Sequence, residues 1–162
     1  MNRHFTVALV AVAAGVLATS ARVSAQEFTL QIALPVAGNS QSTKNSLFVV
    51  RPGGCADPAN ARITATAEGV VNGARQSLPL TVSALPTPGV HTVPKDWAEK
   101  GGFWVVSLVG TCAGKTAGAI VPVERNATNA TFRRESIKQL PHRATTEEID
   151  ASLKTLMTGG RR

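Results

Sequence analysis

The sequence predicts an all-β domain, a seven-strand sandwich with one disulfide, followed by a polar linker and a short amphipathic helix. Three observations support this prediction. Between residues 28 and 123, short stretches rich in branched aliphatic residues are separated by Gly, Pro and Asn. No helical periodicity interrupts them, and such spacing is typical of sandwiches or barrels rather than β-α-β units. The two cysteines come at or just after the ends of two strongly apolar stretches.

The first 25 residues predict a secretory signal peptide. Arg3 precedes an uncharged apolar run over residues 5–18, and the polar stretch after it ends in Val23-Ser24-Ala25. A positive start, a short apolar run and a small-residue cleavage site are the three parts of such a signal. A buried or amphipathic helix explains the run less well, because it is apolar on every face. Cleavage after Ala25 predicts an exported, soluble chain, periplasmic or extracellular, with no stable membrane anchor.

The sandwich domain is predicted over residues 26–123, with two central strands and one edge strand assigned from composition. The predicted strands are 28–34, 46–50, 61–71, 74–83, 89–93, 103–112 and 116–123. The second and sixth are apolar on both faces, as strands in the middle of a sheet would be. Asn72-Gly73 indicates a hairpin between the third and fourth strands. Pro79 cannot donate a ladder hydrogen bond, so the fourth strand should lie at a sheet edge.

A structural disulfide between Cys55 and Cys112 is expected if the chain is exported, because oxidising compartments let such a pair close. The loop between Cys55 and Cys112 spans 57 positions. Chain-entropy arguments predict that closing a loop of this length stabilises the folded state by about 4 kcal/mol. Neither cysteine has nearby ligands for a metal site or forms a C-x-x-C pair. Aromatic residues make up 4% of the chain and tyrosine is absent, so Trp97 and Trp104 are expected to anchor the core.

The cysteines at the ends of two central strands, with Trp104 on the later one, resemble the immunoglobulin-like architecture. Two departures are the position of the cysteines at strand ends and the absence of the tyrosine-corner residue. The stretch TATAEGVVNGARQSLPL…PGVHTVPKDWAEKGGFWVVSL is similar to bacterial exported domains of the YtkA-like, FixH-related kind, over residues 46–123. Some members of that group occur in copper or cytochrome-oxidase contexts, but here only His91 and His142 remain after cleavage.

The C-terminal region is predicted to be a polar linker over residues 124–144, a helix over 145–158 and a basic terminus over 159–162. Thr145 or Thr146 with Glu148 forms a capping-box pattern. Four apolar residues then recur on one helical stripe: Ile149, Leu153, Leu156 and Met157. The favoured interpretation is a helix that docks on its own sandwich or frays, and the alternative is a helix that binds in a groove of a partner protein.

Two further features of this region bear on partners. Asn126 and Asn129 begin overlapping glycosylation sequons, which matter only if the chain enters an endoplasmic reticulum and are interpreted as chance in a bacterial protein. The formal net charge is +7, concentrated toward the C-terminus. Nucleic-acid binding is not expected, because the basic tail offers only Phe132 for stacking.

Catalysis is not expected from this sequence. There is no G-x-S-x-G motif, and the few histidines lack a serine and acid arranged around them. The carboxylates that a hydrolase could use are scattered among loops and strand faces: Asp57, Glu68, Asp96 and Glu99. No cofactor is predicted, and oligomeric state is left open. The sequence favours an exported, non-enzymatic module that binds a protein partner through the C-terminal helix or an edge strand. The alternatives are a copper-related exported domain and a weak hydrolase using the scattered carboxylates.

Overall fold

The computed structural model describes residues 27–35, 41–125 and 130–159. The predicted signal peptide over residues 1–25 and the sequon asparagines Asn126 and Asn129 lie outside this described part, as do residues 160–162 of the basic terminus. The described part contains ten strands, two α-helices and three short 3-10 helices.

The strands follow one another along the chain with few helical interruptions. They are β1 (Thr29–Ala33), β2 (Ser46–Gly53), β3 (Arg62–Val71), β4 (Ala74–Leu80), β5 (Ser83–Ala84), β6 (His91–Pro94), β7 (Phe103–Cys112), β8 (Lys115–Arg125), β9 (Ala130–Thr131) and β10 (Lys138–Leu140). The α-helices are α1 (Gln41–Lys44) and α2 (Thr146–Gly159), and the 3-10 helices are Pro58–Asn60, Asp96–Lys100 and Arg134–Ser136.

The strands form two antiparallel sheets packed in a sandwich-like arrangement. The small sheet has the order β1-β2-β6-β5, and the large sheet has the order β10-β8-β7-β3-β4, with β9 paired to the end of β8. The core between them joins Leu30, Phe48 and Val50 of the small sheet to Trp104 and Leu108 of the large one, all fully buried. Burial of these apolar side chains is the main stabilising contribution to the sandwich.

The seven predicted strands all occur, but the predicted count of seven is wrong. The predicted strand 74–83 is two elements, because β4 ends at Leu80 in the large sheet and β5 pairs with β6 in the small sheet. The other two additions, β9 and β10, are two and three residues long, too short to show an alternating pattern. Pro79 does lie in the edge strand β4, which confirms that prediction.

The disulfide and the tryptophan anchors are confirmed. Cys55 follows β2 and Cys112 ends β7, and their Cα atoms are 6.0 Å apart, so the bond ties a loop of the small sheet to the large sheet. Trp97 and Trp104 are both buried and meet edge to face, with ring centroids 5.5 Å apart. Such a pair adds about 0.5–1.5 kcal/mol beyond the area it buries. Each indole N–H donates to a backbone carbonyl, that of Pro94 for Trp97 and Gly101 for Trp104.

The region predicted as a linker instead folds against the large sheet. Residues 138–140 form β10, which pairs with residues 118–120 of β8, and Phe132 packs edge to face on Phe48 in the core. The linker was predicted because the segment is polar and shows no periodicity. A strand of three residues is too short to produce a recognisable alternating pattern in such a segment. The amide of Gln139 also donates to the carbonyl of Leu30 at 2.8 Å, linking the edges of the two sheets.

Helix α2 covers the outer face of the large sheet and so forms a third layer. Its capping box is confirmed, because the Thr145 hydroxyl accepts the Glu148 N–H at 3.3 Å and the Glu148 carboxylate accepts the Thr145 N–H at 3.0 Å. The chain entering the helix passes so close to Gly118 of β8 that a side chain there would overlap the His142 carbonyl. Ile149 and Leu153 then pack on the sheet in a second apolar cluster.

Candidate functional site

A groove lies between the C-terminal half of α2 and the segment over residues 133–138, and we call it the α2 groove. Its floor is the beginning of β7 and the end of β8, at the end of the large sheet opposite the disulfide. Its volume is about 760 Å³. The lining residues are Gly102, Phe103, Pro122, Val123, Glu124, Arg133, Ser136, Lys138, Ser152, Thr155, Leu156 and Gly159.

The floor of the groove is apolar and partly open to solvent. Side chains alternate along a strand, so Phe103 points outward because its neighbour Trp104 points into the core. The side chain of Phe103 is 40% exposed. Among the residues that the structure describes, Leu34, at 51%, is the only other exposed large apolar side chain. Pro122, half-buried, and Leu156, half-buried on α2, also line the groove. The floor can therefore receive an apolar group.

One wall of the groove carries two cations, each paired with a carboxylate. Arg133 lies 2.5 Å from Glu124, and their hydrogen bond and charge attraction raise the pKa of Arg133. Lys138 lies 3.4 Å from Glu148. The side chains of Arg133 and Lys138 are 65% and 49% exposed, so both ion pairs lie at the surface. Exposed pairs of this kind contribute little to stability and rearrange easily.

The other wall is the face of α2, which presents hydroxyl groups. Ser152 donates to the Glu148 carbonyl at 3.0 Å and Thr155 donates to the Ala151 carbonyl at 2.9 Å. Each hydroxyl group donates its proton to a carbonyl of the helix. Its oxygen atom can therefore only accept a hydrogen bond from a ligand. This wall can therefore accept backbone N–H groups.

The position of α2, and with it the shape of the groove, is set by contacts near the start of the helix and in its middle. Near its start, Arg75 of β4 bridges Glu68 of β3 and Asp150 of α2. Burial opposes the charge of Arg75, but the hydrogen bonds to Asp150 and Glu68 outweigh it and raise the pKa of Arg75. In the middle of the helix, Leu153 is almost fully buried against the large sheet, with 1% of its side chain exposed. The groove is therefore built on a fixed helix.

The stripe singled out for partner binding lies mostly against the protein's own sheet. Ile149 and Leu153 are buried in the cluster with Val105 and Ile120. Leu156 and Met157 are half-buried beside it, and Leu156 alone of the four lines the groove. While the helix is docked, Ile149 and Leu153 are not accessible to a partner. The stripe forms an intramolecular interface, as the favoured interpretation of the helix had it.

The structure does not bring the scattered carboxylates together. Asp57 accepts a hydrogen bond from the Asn60 amide at 2.6 Å, Glu68 accepts one from Ser77 at 2.8 Å, and Asp96 accepts the Trp97 N–H at 3.0 Å. Glu99 lies in the 3-10 helix Asp96–Lys100. Asp96 shares that 3-10 helix with Glu99, whereas Glu68 lies in β3 and Asp57 precedes the 3-10 helix Pro58–Asn60.

The two histidines within the described residues also lie apart. The His91 ring nitrogen contacts the Gly89 carbonyl at 3.2 Å, and His142 lies 3.9 Å from Glu148. Within residues 27–35, 41–125 and 130–159, no group of three or more His, Cys, Asp or Glu side chains could hold a metal ion. In the same part of the chain, no helix is long and apolar enough to cross a membrane.

Sequence reasoning missed most of the groove. The outward direction of Phe103 could have been found, because a buried Trp104 places its neighbour on the opposite face. Arg133 and Lys138 carried no signal, since charged residues in a segment without periodicity give no indication of what they face. The groove joins residues as far apart in the chain as Gly102 and Gly159, and only the docking of the C-terminal region brings them together.

Comparison with models of protein families, with curated proteins and with solved structures found no match to this chain.

Proposed function

We propose that this chain is an exported, non-catalytic module with an immunoglobulin-like sandwich, and that it binds a protein partner in the α2 groove. The observation that carries the proposal is Phe103, a large apolar side chain left 40% exposed at the floor of a concave surface. Ligand sites are concave surfaces lined mainly by apolar and aromatic side chains, and aromatic anchors contribute strongly to binding energy.

The dimensions and chemistry of the groove favour binding. A volume of about 760 Å³ falls within the usual range for ligand sites. The floor is apolar, and the polar groups stand at the walls, as in a typical recognition site. Hydrolysis by paired carboxylates needs two acids facing one another, and Glu124 is the single acidic residue among the lining residues that the structure describes.

Export is supported by two observations that act together. The N-terminal segment has the three parts of a secretory signal, and Cys55 is bonded to Cys112, which suits an oxidising compartment. Expression of the full chain in a bacterium tests this directly. We expect the mature protein in the periplasm or medium, with Gln26 as its first residue by mass spectrometry. A chain that stays in the cytoplasm with residues 1–25 attached would contradict export.

The binding function is tested by comparing two matched surface variants with the wild-type protein. Phe103→Ser removes the apolar anchor of the groove, and Leu34→Ser removes a more exposed apolar side chain that does not line the groove. Each immobilised protein is exposed to an extract of the native cell envelope, and bound proteins are identified by mass spectrometry. We expect a partner retained by the wild type and by Leu34→Ser but lost with Phe103→Ser. The same retained proteins on all three would refute binding in the groove.

A further inference from the structure

We propose that the partner segment bound in the α2 groove is an acidic peptide with one large apolar side chain, which packs on Phe103 while its carboxylates reach Lys138 and Arg133. This inference rests on the proposed function and adds the chemistry of the partner. It follows from the distribution of charge around an apolar floor.

Cations outnumber acids among the residues that line the groove, in a chain whose formal net charge is +7. Among its lining residues, Arg133 and Lys138 are cationic and Glu124 is the one acid. The segment that forms this wall, RRESIK over residues 133–138, also contains Arg134 and Glu135, whose charges cancel. A basic segment would therefore be repelled and an acidic one attracted as it approaches.

The existing ion pairs leave room for added carboxylates. Both pairs are exposed, so Arg133 and Lys138 keep much of their hydration and their flexible side chains can turn toward a ligand. An arginine has five N–H donors and a lysine has three, so each can hold its present partner and a second carboxylate at once. The partner's acids therefore need not displace Glu124 or Glu148.

The concave shape of the site favours a peptide over a membrane surface. An apolar anchor that inserts into a lipid surface must protrude from the protein. Phe103 instead lies at the floor between two walls, where a narrow segment can enter and a flat bilayer cannot. The acceptor oxygens of Ser152 and Thr155 on the helical wall also match the N–H groups that a peptide backbone presents.

Fluorescence anisotropy with three labelled peptides of equal length tests the inference. The first has glutamates around a central phenylalanine, the second has lysines in place of the glutamates, and the third has serine in place of the phenylalanine. We expect the first to bind most tightly, with an affinity that falls as salt is added, because exposed charges are screened. Equal or tighter binding of the lysine peptide, or no binding of the first peptide, would overturn the inference.

Variants separate direct contact from an effect on the helix. Phe103→Ser should weaken binding of the acidic peptide about tenfold or more, and Lys138→Gln about three- to fivefold. Lys115→Gln, which removes the same charge at the disulfide end of β8, should leave binding unchanged. Glu148→Gln breaks the same ion pair as Lys138→Gln but keeps the cation, so it should not weaken binding. A loss with Glu148→Gln equal to that with Lys138→Gln would contradict a direct role for Lys138.

The outcomes distinguish this inference from the proposed function. A partner captured from the envelope only when Phe103 is present, together with preference for the lysine peptide, would keep the function and overturn the acidic chemistry. Capture that does not depend on Phe103 would overturn both. Sedimentation of the protein with phosphatidylglycerol vesicles, abolished by Phe103→Ser, would replace the peptide with a lipid surface.

Discussion

Trp104 of β7 lies directly opposite Gly69 of β3, and its indole ring covers the place where a side chain of Gly69 would be. The ring also meets Trp97 edge to face, so one cross-strand pair sets the position of both aromatic anchors in a chain with few aromatic residues. Because Trp104 occupies the inner face, Phe103 is turned to the outer face and into the groove. A glycine in β3 thus contributes to the position of the proposed binding anchor.

Gly69→Ala is expected to destabilise the protein. A methyl group at this position would overlap the indole of Trp104, and overpacking of this kind costs about 1–3 kcal/mol. Urea unfolding followed by tryptophan fluorescence measures the change. Gly159→Ala is the matched control, because no atom lies within 4 Å of the position that its methyl group would take. Equal stability of Gly69→Ala and wild type would show that the ring can move aside.

Removal of the disulfide is expected to lower the free energy of unfolding by about 2–5 kcal/mol. The bond joins residues 57 positions apart, and its loss would free a long loop of the unfolded chain. The Cys55→Ala/Cys112→Ala double variant, compared with wild type by urea unfolding with and without reductant, measures this. Reductant should lower the stability of the wild type and leave the variant unchanged. Wild-type stability that is insensitive to complete reduction would contradict the prediction.

Acid is expected to weaken the docking of α2 through Glu148. The backbone N–H of Thr145 and the nearby Lys138 and His142 lower the pKa of this carboxyl below its ordinary value of 4.5. A carboxyl with a lower pKa in the folded state adds stability above its unfolded pKa, and loses it as pH falls through the folded value. Thermal unfolding between pH 7 and pH 2.5 should show this loss.

Glu148→Gln is the control for that titration, since glutamine keeps the shape of the side chain without its charge. The variant should be less stable than wild type at pH 7, and the difference should shrink as the pH falls below 4.5. A difference that stays constant over the whole acidic range would show that the ionisation of Glu148 does not contribute to folding.

Leu153→Ala is expected to loosen α2 and cost about 2–5 kcal/mol. Leu153 is 1% exposed between the helix and the large sheet, so its truncation leaves a cavity in that layer. Limited proteolysis and amide hydrogen exchange of α2 should both become faster than in wild type. Leu156→Ala is the comparison within the same stripe, and its effect on stability should be smaller because Leu156 is only half-buried. Equal protection of α2 in Leu153→Ala and wild type would contradict the prediction.

Local patterns in the sequence predicted most of the sandwich. Alternation and turn residues predicted the strands that became β1 to β4 and β6 to β8, and Pro79 indicated the edge position of β4. The capping residues and the apolar stripe predicted α2 to within a residue or two. These features depend on near neighbours in the chain, because a strand or helix with one buried face repeats its apolar residues at a fixed period.

The sequence alone indicated which faces of this protein are apolar and that its two cysteines would form a disulfide with each other. Tertiary structure decided where the C-terminal region goes: β10 joins β8, α2 covers the outer face of the large sheet, and Phe103, Arg133 and Lys138 come to line one groove. The physical reason is that the periodicity of apolar residues shows which face of a strand or helix is buried, but not which other element covers that face. Segments far apart in the chain pair through the sum of many weak contacts, and no single local pattern records that sum.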